Sequence, residues 1–258
     1  MASRYELKYL LPHRVAIRVR EFVSQYLELD EFGAGKVNNA YPVHSLYLDS
    51  DDWKLYWRTV NGDKNRFKLR IRYYDDSPDS PVFWEVKRKL KDVILKQRCA
   101  IKRCHASRVI HGQLPARSEM FWPDNPKDLK AIQEFFGLQF GIGAVPKLHI
   151  AYEREAYVHP HKSEFRVTFD RHVRAVPRLD GKLTTQMRNP MICTGTADDP
   201  EDVVILELKF IERFPSWYRD LVTTFNLMQT GAAKYCDGMT MFAGRELGTK
   251  DVVRTLVM

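Results

Sequence analysis

The sequence predicts an α+β protein in which about eight mostly antiparallel strands close into a β-barrel, with helices packed outside. Three observations support this fold class. Charged and apolar residues alternate along nearly every strand-like segment, so that each strand has one charged and one apolar face. The strands suffice to close a barrel, which removes exposed edges. Amphipathic helical segments are available to cover the apolar face, which leaves the charged face toward the lumen.

The first third of the chain alternates between strands and short helices. Residues 3–11 read as a strand with Arg4, Glu6 and Lys8 on one face. Pro12 suits the first turn of a helix, and apolar residues recur at helical spacing over 13–30. Residues 41–50 read as a strand, 51–60 as a short helix with an aspartate-rich start, and 61–63 as a turn.

The segment from residue 66 to residue 102 predicts an antiparallel meander of three basic strands, 66–74, 82–90 and 93–102. The first strand alternates strictly between basic and apolar residues, whereas the charged face of the third strand also includes Ile94 and Ala100. The charged faces carry Arg66, Lys68, Arg70 and Arg72 on the first strand, Glu85, Lys87 and Lys89 on the second, and Lys96, Arg98 and Lys102 on the third.

The remaining segments complete the sheet. Residues 105–145 read as irregular and partly helical, and 147–158 and 164–175 read as strands. A loop-like stretch over 177–200 leads to a β-branched strand at 203–210, which carries Glu207 and Lys209 on one face, and to a helix at 215–230. Because no composition shift or linker marks a boundary, we expect a single domain over residues 1–258.

Composition limits the chemical class of the binding partner and the expected location of the protein. The formal net charge is +8, which favours an anionic partner without choosing among phosphorylated metabolites, polyanions, nucleic acid or acidic lipid. No segment resembles a signal peptide or a membrane span, and the four cysteines form no C-x-x-C pair. We therefore expect reduced thiols and a cytoplasmic location.

Charged alternation has two interpretations. A lone antiparallel strand of this kind usually has a solvated charged face. Here the charges are dense and mostly basic, and like charges directly opposite each other on neighbouring strands are destabilising, so the sheet is expected to bind anions. Arginine and lysine both bind phosphate, and a divalent cation on Glu6 and Glu207 would help to neutralise a triphosphate.

Nine motifs occur in an order that resembles the VTC domain, the polyphosphate polymerase domain of the triphosphate tunnel metalloenzyme superfamily. The resemblance runs from about residue 3 to about residue 242, and its motifs are RYELKYLL, SLYLDSDD, RFKLRIR, WEVKRK, VILKQR, YEREAY, FRVTFD, ILELKF and AAKYCDGM. The resemblance implies an eight-stranded tunnel, transfer of the terminal phosphoryl group of ATP to a growing polyphosphate chain, and a divalent metal, Mn²⁺ or Mg²⁺. The hydrolytic and cyclase branch of the superfamily opens with Glu-x-Glu-x-Lys, whereas this chain has Arg4 at the first glutamate position.

Carried over motif by motif, the resemblance implies three groups of site residues. The catalytic group is Arg70, Arg72, Lys87, Lys209 and Lys234. The substrate-binding group is Lys8, Lys96, Arg98, Arg154 and Arg166. The metal ligands are Glu207 and Glu6.

Two other functions stay open at this stage. The chain could be a metal-dependent tri- or polyphosphate hydrolase, or a non-catalytic module that binds polyphosphate. Nucleic acid is disfavoured as a partner because the aromatic residues fall largely on the face opposite the basic one. The expected partners are ATP and inorganic polyphosphate, and association with a separate membrane protein is left open.

Overall fold

The computed structural model describes residues 4–91, 93–160, 164–194 and 203–246. The strands are β1 Arg4–Pro12, β2 Glu28–Leu29, β3 Ala40–Asp49, β4 Asn65–Tyr73, β5 Pro81–Leu90, β6 Val93–Lys102, β7 Val145–Val158, β8 Arg166–Pro177, β9 Met191–Ile192 and β10 Val203–Ile211. The α-helices are α1 His13–Val23, α2 Lys54–Val60, α3 Arg103–Ile110, α4 Pro126–Ile142, α5 Ser216–Thr224 and α6 Lys234–Glu246. Short 3-10 helices occupy Val37–Asn39 and Arg117–Glu119.

The strands form one large sheet with the order β1-β10-β8-β7-β3-β4-β5-β6, while β2 pairs with β7 and β9 pairs with β8. The pairs β1–β10, β10–β8, β3–β4, β4–β5 and β5–β6 are antiparallel. The predicted α+β class and antiparallel sheet are therefore confirmed. Within the described residues β1 and β6 stand at the two ends of this order and do not pair, so closure into a barrel is not confirmed.

The chain divides into two compact units. Unit 1 consists of Met1–Pro42, Tyr152–Arg174 and Ile192–Lys234, and unit 2 consists of Val43–Ala151, Ala175–Met191 and Tyr235–Met258. The single domain expected over 1–258 stays a prediction. None of the described helices is long and apolar enough to cross a membrane, and the four cysteines are free thiols.

The core of unit 1 lies on the apolar face of β1, β10 and β8. Helix α1 contributes Ala16, Val19 and Val23, which recur at helical spacing and are fully buried. Helix α5 contributes Tyr218 and Leu221 to the same cluster. The apolar face of these strands is thus covered by helices, as the alternation predicts, and the charged residues lie on the other face.

The core of unit 2 is built in the same way on β3, β4, β5 and β6. Alternate residues of these strands, such as Leu69, Ile71 and Trp84, pack with helices α3 and α4, which supply Val109 and Phe135. Each of these side chains is at most 1% exposed. The two predicted strand faces are therefore separated in both units.

Helix α6 is an element that the sequence analysis missed. Its Gly238 lies so close to β7 that an added Cβ would stand 2.7 Å from Leu148 Cδ2 and 3.2 Å from Ala175 Cβ. Its Tyr235 ring stacks on Tyr47 at a centroid distance of 4.8 Å. Glycine suits this contact because a larger residue at position 238 would force the buried Leu148 side chain to shift.

Two helices are shorter than predicted. Helix α1 ends at Val23 rather than residue 30, because Ser24 Oγ bonds Glu21 O at 2.8 Å and the chain then pairs as β2 with Tyr157 and Val158. Helix α5 ends at Thr224 rather than residue 230, because Asn226 adopts φ 48° and Gln229 bridges to Tyr9. In both places pairing with a strand overrides the helical spacing.

Candidate functional site

The charged face of unit 1 is formed by alternate residues of β1, β10 and β8. Two rows of directly opposed residues cross it, Lys8–Glu207–Thr168 and Glu6–Lys209–Arg166. The register follows from burial of the apolar face, because a slip by one residue would turn every charged side chain into the core. The side chain of Arg4 lies outside the described residues.

Glu207 is the centre of this face and is 4% exposed. Its Oε1 lies 3.1 Å from Lys234 Nζ and 3.5 Å from Lys8 Nζ, and its Oε2 lies 2.7 Å from Lys209 Nζ and 3.3 Å from Arg154 Nη2. Burial alone would raise the pKa of this carboxyl, but Lys209, Lys234, Lys8 and Arg154 hold it well below its usual range. Glu207 is therefore ionised and surrounded by cations.

Asp170 is a second carboxylate of the same face, and it is fully buried. Arg154 donates to it twice, from Nε at 2.6 Å and from Nη2 at 2.7 Å, and Lys234 Nζ lies 2.6 Å from Oδ2. Burial opposes ionisation of Asp170, but Arg154 and Lys234 lower its pKa. Asp170 therefore fixes the positions of two cations that also contact Glu207.

We use the term unit 1 cluster for Glu6, Lys8, Arg154, Asp170, Glu207, Lys209 and Lys234. The cluster has four cations and three carboxylates, and Lys8 joins two of the carboxylates through contacts to Glu6 at 3.4 Å and Glu207 at 3.5 Å. The Tyr152 ring lies under both Arg154 and Lys234, at 5.2 and 4.9 Å from the ring centroid.

Arg166 belongs to the charged face by register, but its guanidinium has other partners. It lies 2.8 Å from Asp30 Oδ2 and donates to Tyr41 Oη at 3.2 Å. Arg166 therefore lies beside the unit 1 cluster on β8, but it is not among the cations that contact Glu207 in this cluster. Its role in substrate binding stays a prediction.

The charged face of unit 2 contains a row of three lysines in direct register. Lys68 of β4 lies opposite Lys87 of β5, which lies opposite Lys96 of β6. We call these three residues the lysine row. Like charges directly opposite each other destabilise a sheet, so this row has a cost in stability that a bound anion would remove.

The next row on the same face is Tyr47–Arg70–Glu85–Arg98. Glu85 is fully buried, and its Oε2 accepts from Arg70 Nε at 2.6 Å while Oε1 lies 2.5 Å from Lys96 Nζ. Burial would raise the pKa of Glu85, but Arg70, Lys96 and Arg72 hold it far below its usual range. Glu85 thus anchors two cations that the sequence analysis assigned to phosphate.

The remaining predicted residues of unit 2 lie on the same face. Arg72 is 6% exposed and donates to Ser45 Oγ from Nε and Nη2, at 3.4 Å each. The guanidinium of Arg98 stacks over the ring of Phe83 at 5.0 Å. Burial lowers the pKa of Lys96 to about 7, with Arg70 and Arg72 acting in the same direction and Glu85 against it. Because 36% of the Lys96 side chain remains exposed, this amine can reach a solvent-borne anion.

The structure thus brings six predicted residues together in unit 1, with Arg166 beside them, and five in unit 2. Sequence reasoning placed Lys68 on the charged face without assigning it to the site, and it missed Asp170, Tyr152 and Tyr47 as members of these faces. Asp170 had a readable signal, because it continues the alternation of FRVTFD after Arg166 and Thr168. Tyr152 and Tyr47 also occupy charged-face positions, but an aromatic residue is more often assigned to a core.

The carboxylates of unit 1 could supply some, but not all, of the oxygen ligands of a divalent cation. Glu207 and Glu6 offer carboxylate oxygens, the ligands that Mg²⁺ prefers. Within the described residues no group of three or more His, Cys, Asp or Glu is arranged to hold a metal ion. Glu207 and Glu6 would therefore hold Mn²⁺ or Mg²⁺ together with phosphate oxygens of a substrate, which is the usual arrangement for Mg²⁺ at phosphates.

Comparison with known families agrees with this chemistry. Residues 3–243 match the family described as the VTC domain. The chain belongs to the VTC domain family. Membership of this family supports a protein that acts on phosphate-containing substrates such as triphosphate or polyphosphate. No curated protein matches the chain.

Three solved structures resemble the VTC domain at 11% sequence identity. A proposed adenylate cyclase from Bacillus halodurans has a TM-score of 0.49 and covers 90% of this chain and 95% of its own. The PH1819 protein from Pyrococcus horikoshii has a TM-score of 0.46, with 93% and 99% covered. A proposed adenylate cyclase from Vibrio parahaemolyticus has a TM-score of 0.43, with 90% and 95% covered. Similarities at these scores and identities do not indicate the activity of this chain.

Proposed function

We propose that this VTC domain is an ATP-dependent inorganic polyphosphate polymerase. The observation that carries the proposal is the lysine row, in which Lys68, Lys87 and Lys96 oppose each other on one face. A sheet that only needed a solvated surface would gain stability from mixed charges there. A row of cations is instead suited to a linear polyanion, whose successive phosphates it can neutralise.

The proposed roles follow the placement of the residues. In unit 2, Arg70, Arg72 and Lys87 stabilise charge on the transferring phosphoryl group, and Lys96 and Arg98 bind phosphate oxygens. In unit 1, Lys209 and Lys234 have the catalytic role, and Lys8, Arg154 and Arg166 bind substrate. The ion pairs with Glu85, Asp170 and Glu207 hold these cations in place before the substrate arrives.

The reaction needs no nucleophilic side chain. A terminal oxygen of the polyphosphate attacks the γ-phosphorus of ATP, the new P–O–P bond forms, and the bond from the γ-phosphorus to the β,γ-bridging oxygen breaks, so that ADP leaves. Cations aligned along the chain favour this transfer by positioning the reactants and by stabilising negative charge. A divalent ion held by Glu207 and Glu6 would supply further neutralisation of the phosphates.

The proposal includes the finer expectations of the family resemblance. The sheet closes into a tunnel whose lumen is the charged face, and a tunnel suits a linear product. ATP and polyphosphate are the partners, Mn²⁺ or Mg²⁺ is the metal, and the cytoplasm is the location. Two findings would overturn the proposal, namely hydrolysis of polyphosphate without polymer formation, and polyphosphate binding without turnover.

The experiment is a turnover assay with a matched variant. Purified protein is incubated with ATP and Mn²⁺ or Mg²⁺, and long polyphosphate is detected on a gel. We expect long chains from the wild type and none from Glu207→Gln, which keeps the shape of the side chain and removes its charge. Free phosphate without chains would show a hydrolase, and binding without turnover under both metals and added primers would show a binding module.

A further inference from the structure

Tyr47 occupies a position on the charged face of unit 2 that the roles above do not use. It stands directly opposite Arg70 in the row that continues to Glu85. Its side chain is 7% exposed, and Arg70 Nη1 donates to its hydroxyl oxygen at 3.3 Å. A buried phenol among the arginines of a proposed phosphate site is an unusual choice if the position only needs an apolar ring, because phenylalanine would fill the space without a polar group.

The ring of Tyr47 is held by a rigid support. It stacks on Tyr235 at 4.8 Å with planes 20° apart, and the Tyr235 hydroxyl donates to Asp49 Oδ2 at 2.5 Å. Asp49 lies two residues after Tyr47 on the same strand and also accepts from the backbone N–H groups of Leu55 and Tyr56, at 2.9 Å each. This carboxylate therefore fixes the start of α2 and the stacking partner of Tyr47 together. Such support is expected where a hydroxyl must be aimed.

The charges that face the hydroxyl are mainly positive. Arg70, Arg72 and Lys68 approach it from β4, while Tyr235 of α6 stacks on the Tyr47 ring and Glu85 of β5 binds Arg70. Burial would raise the pKa of Tyr47, but Arg70, Arg72 and Lys68 lower it to about 8. Since Arg70 donates to the hydroxyl oxygen, the hydroxyl proton is directed away from Arg70 and can be donated to a bound anion.

We propose that Tyr47 is a phosphate-binding residue of this site, whose hydroxyl donates a hydrogen bond to a substrate phosphate oxygen that Arg70 also binds. This inference rests on the proposed function, and it adds a neutral hydrogen-bond donor to the proposed phosphate site. A phosphate oxygen is the acceptor that the three basic groups and the phenol proton share. When the anion is bound, it offsets the positive charges around the phenol, so the hydroxyl should keep its proton to higher pH.

Calorimetric binding of tripolyphosphate at pH 8 tests the inference, in buffers of different ionisation enthalpy and with metal omitted. For Tyr47→Phe, which loses only the hydroxyl, we expect affinity about tenfold lower than wild type. Wild type should also take up about half a proton more than the variant on binding, since a group with a pKa near 8 is half ionised before the anion arrives. The control Tyr26→Phe changes an exposed ring, 42% exposed in unit 1, and should match wild type.

A second measurement needs no variant. Tyrosinate absorbance of wild type should show one ionisation near pH 8 that shifts upward by at least one pH unit with saturating tripolyphosphate. This ionisation is distinguishable because burial raises the pKa of five other tyrosines, namely Tyr9, Tyr73, Tyr157, Tyr218 and Tyr235.

The outcomes separate the inference from the proposed function. Equal affinity and equal proton uptake in Tyr47→Phe, or an ionisation that tripolyphosphate leaves in place, would overturn the role of Tyr47 alone. Failure of wild type to bind tripolyphosphate, with or without Mn²⁺, would overturn both.

Discussion

Replacing Asp170 by asparagine should lower the free energy of unfolding by about 3 kcal/mol. Asp170 is fully buried and has short contacts of 2.6–2.7 Å to Arg154 and Lys234. Removing one partner of a buried ion pair costs about 3–5 kcal/mol because the other charge is left uncompensated. The lower end applies because Glu207 remains 3.3 Å from Arg154 and 3.1 Å from Lys234.

The assay is urea unfolding followed by circular dichroism at pH 7, with Asp220→Asn as the control. Asp220 is an exposed residue of α5 in the same unit, and its replacement should change the unfolding free energy by less than about 0.5 kcal/mol. Tripolyphosphate should stabilise Asp170→Asn more than it stabilises wild type, since the added anion replaces the missing carboxylate. A loss below about 1 kcal/mol with an unchanged urea dependence would refute the reasoning.

Two further predictions follow from the charged faces. Lys87→Gln should weaken tripolyphosphate binding severalfold, because it removes one cation from the lysine row. The control Arg88→Gln, on the opposite face and paired with Glu134, should leave binding unchanged. Equal binding by wild type and Lys87→Gln would contradict the account. Acid should destabilise the protein, because folding depresses the pKa values of Glu85, Asp170 and Glu207. The stability that these carboxylates contribute is complete above their pKa values in the unfolded chain, which are about 4. It is lost as the pH falls from there toward their pKa values in the folded protein. Unfolding free energy measured between pH 6 and pH 2 should show this fall, and a flat profile would count against ionised carboxylates at these sites.

Most of the sheet could be predicted from alternation alone. The three basic strands of unit 2 appear within one or two residues of their predicted bounds, because strict period-two patterning fixes both the strand and its faces. The sorting of apolar residues under helices and charged residues on the other face followed from the same pattern. Sequence order also sufficed to recognise the family, since nine weak motifs in one order are specific together.

The features that the sequence did not predict depend on contacts between segments that are far apart in the sequence. Helix α6 has no strong apolar period, and its position rests on Gly238 fitting against Leu148. The ends of α1 and α5 are set by pairing to strands far along the chain, which local propensity cannot show. Asp170 was visible in its motif, but its pairing with Lys234 joins residues 64 positions apart, so only the folded chain identifies it as an anchor.

The phosphate balance of the reaction is the measurement that tests the central claim most directly. With ATP and Mn²⁺ in a single reaction, ADP and free phosphate are quantified together, and the product is digested with an enzyme that releases phosphate from polyphosphate. The account predicts ADP in excess of free phosphate, with the missing phosphate recovered from the polymer and none formed by Glu207→Gln. ADP and free phosphate in equal amounts, with no polymer to digest, would contradict a polymerase.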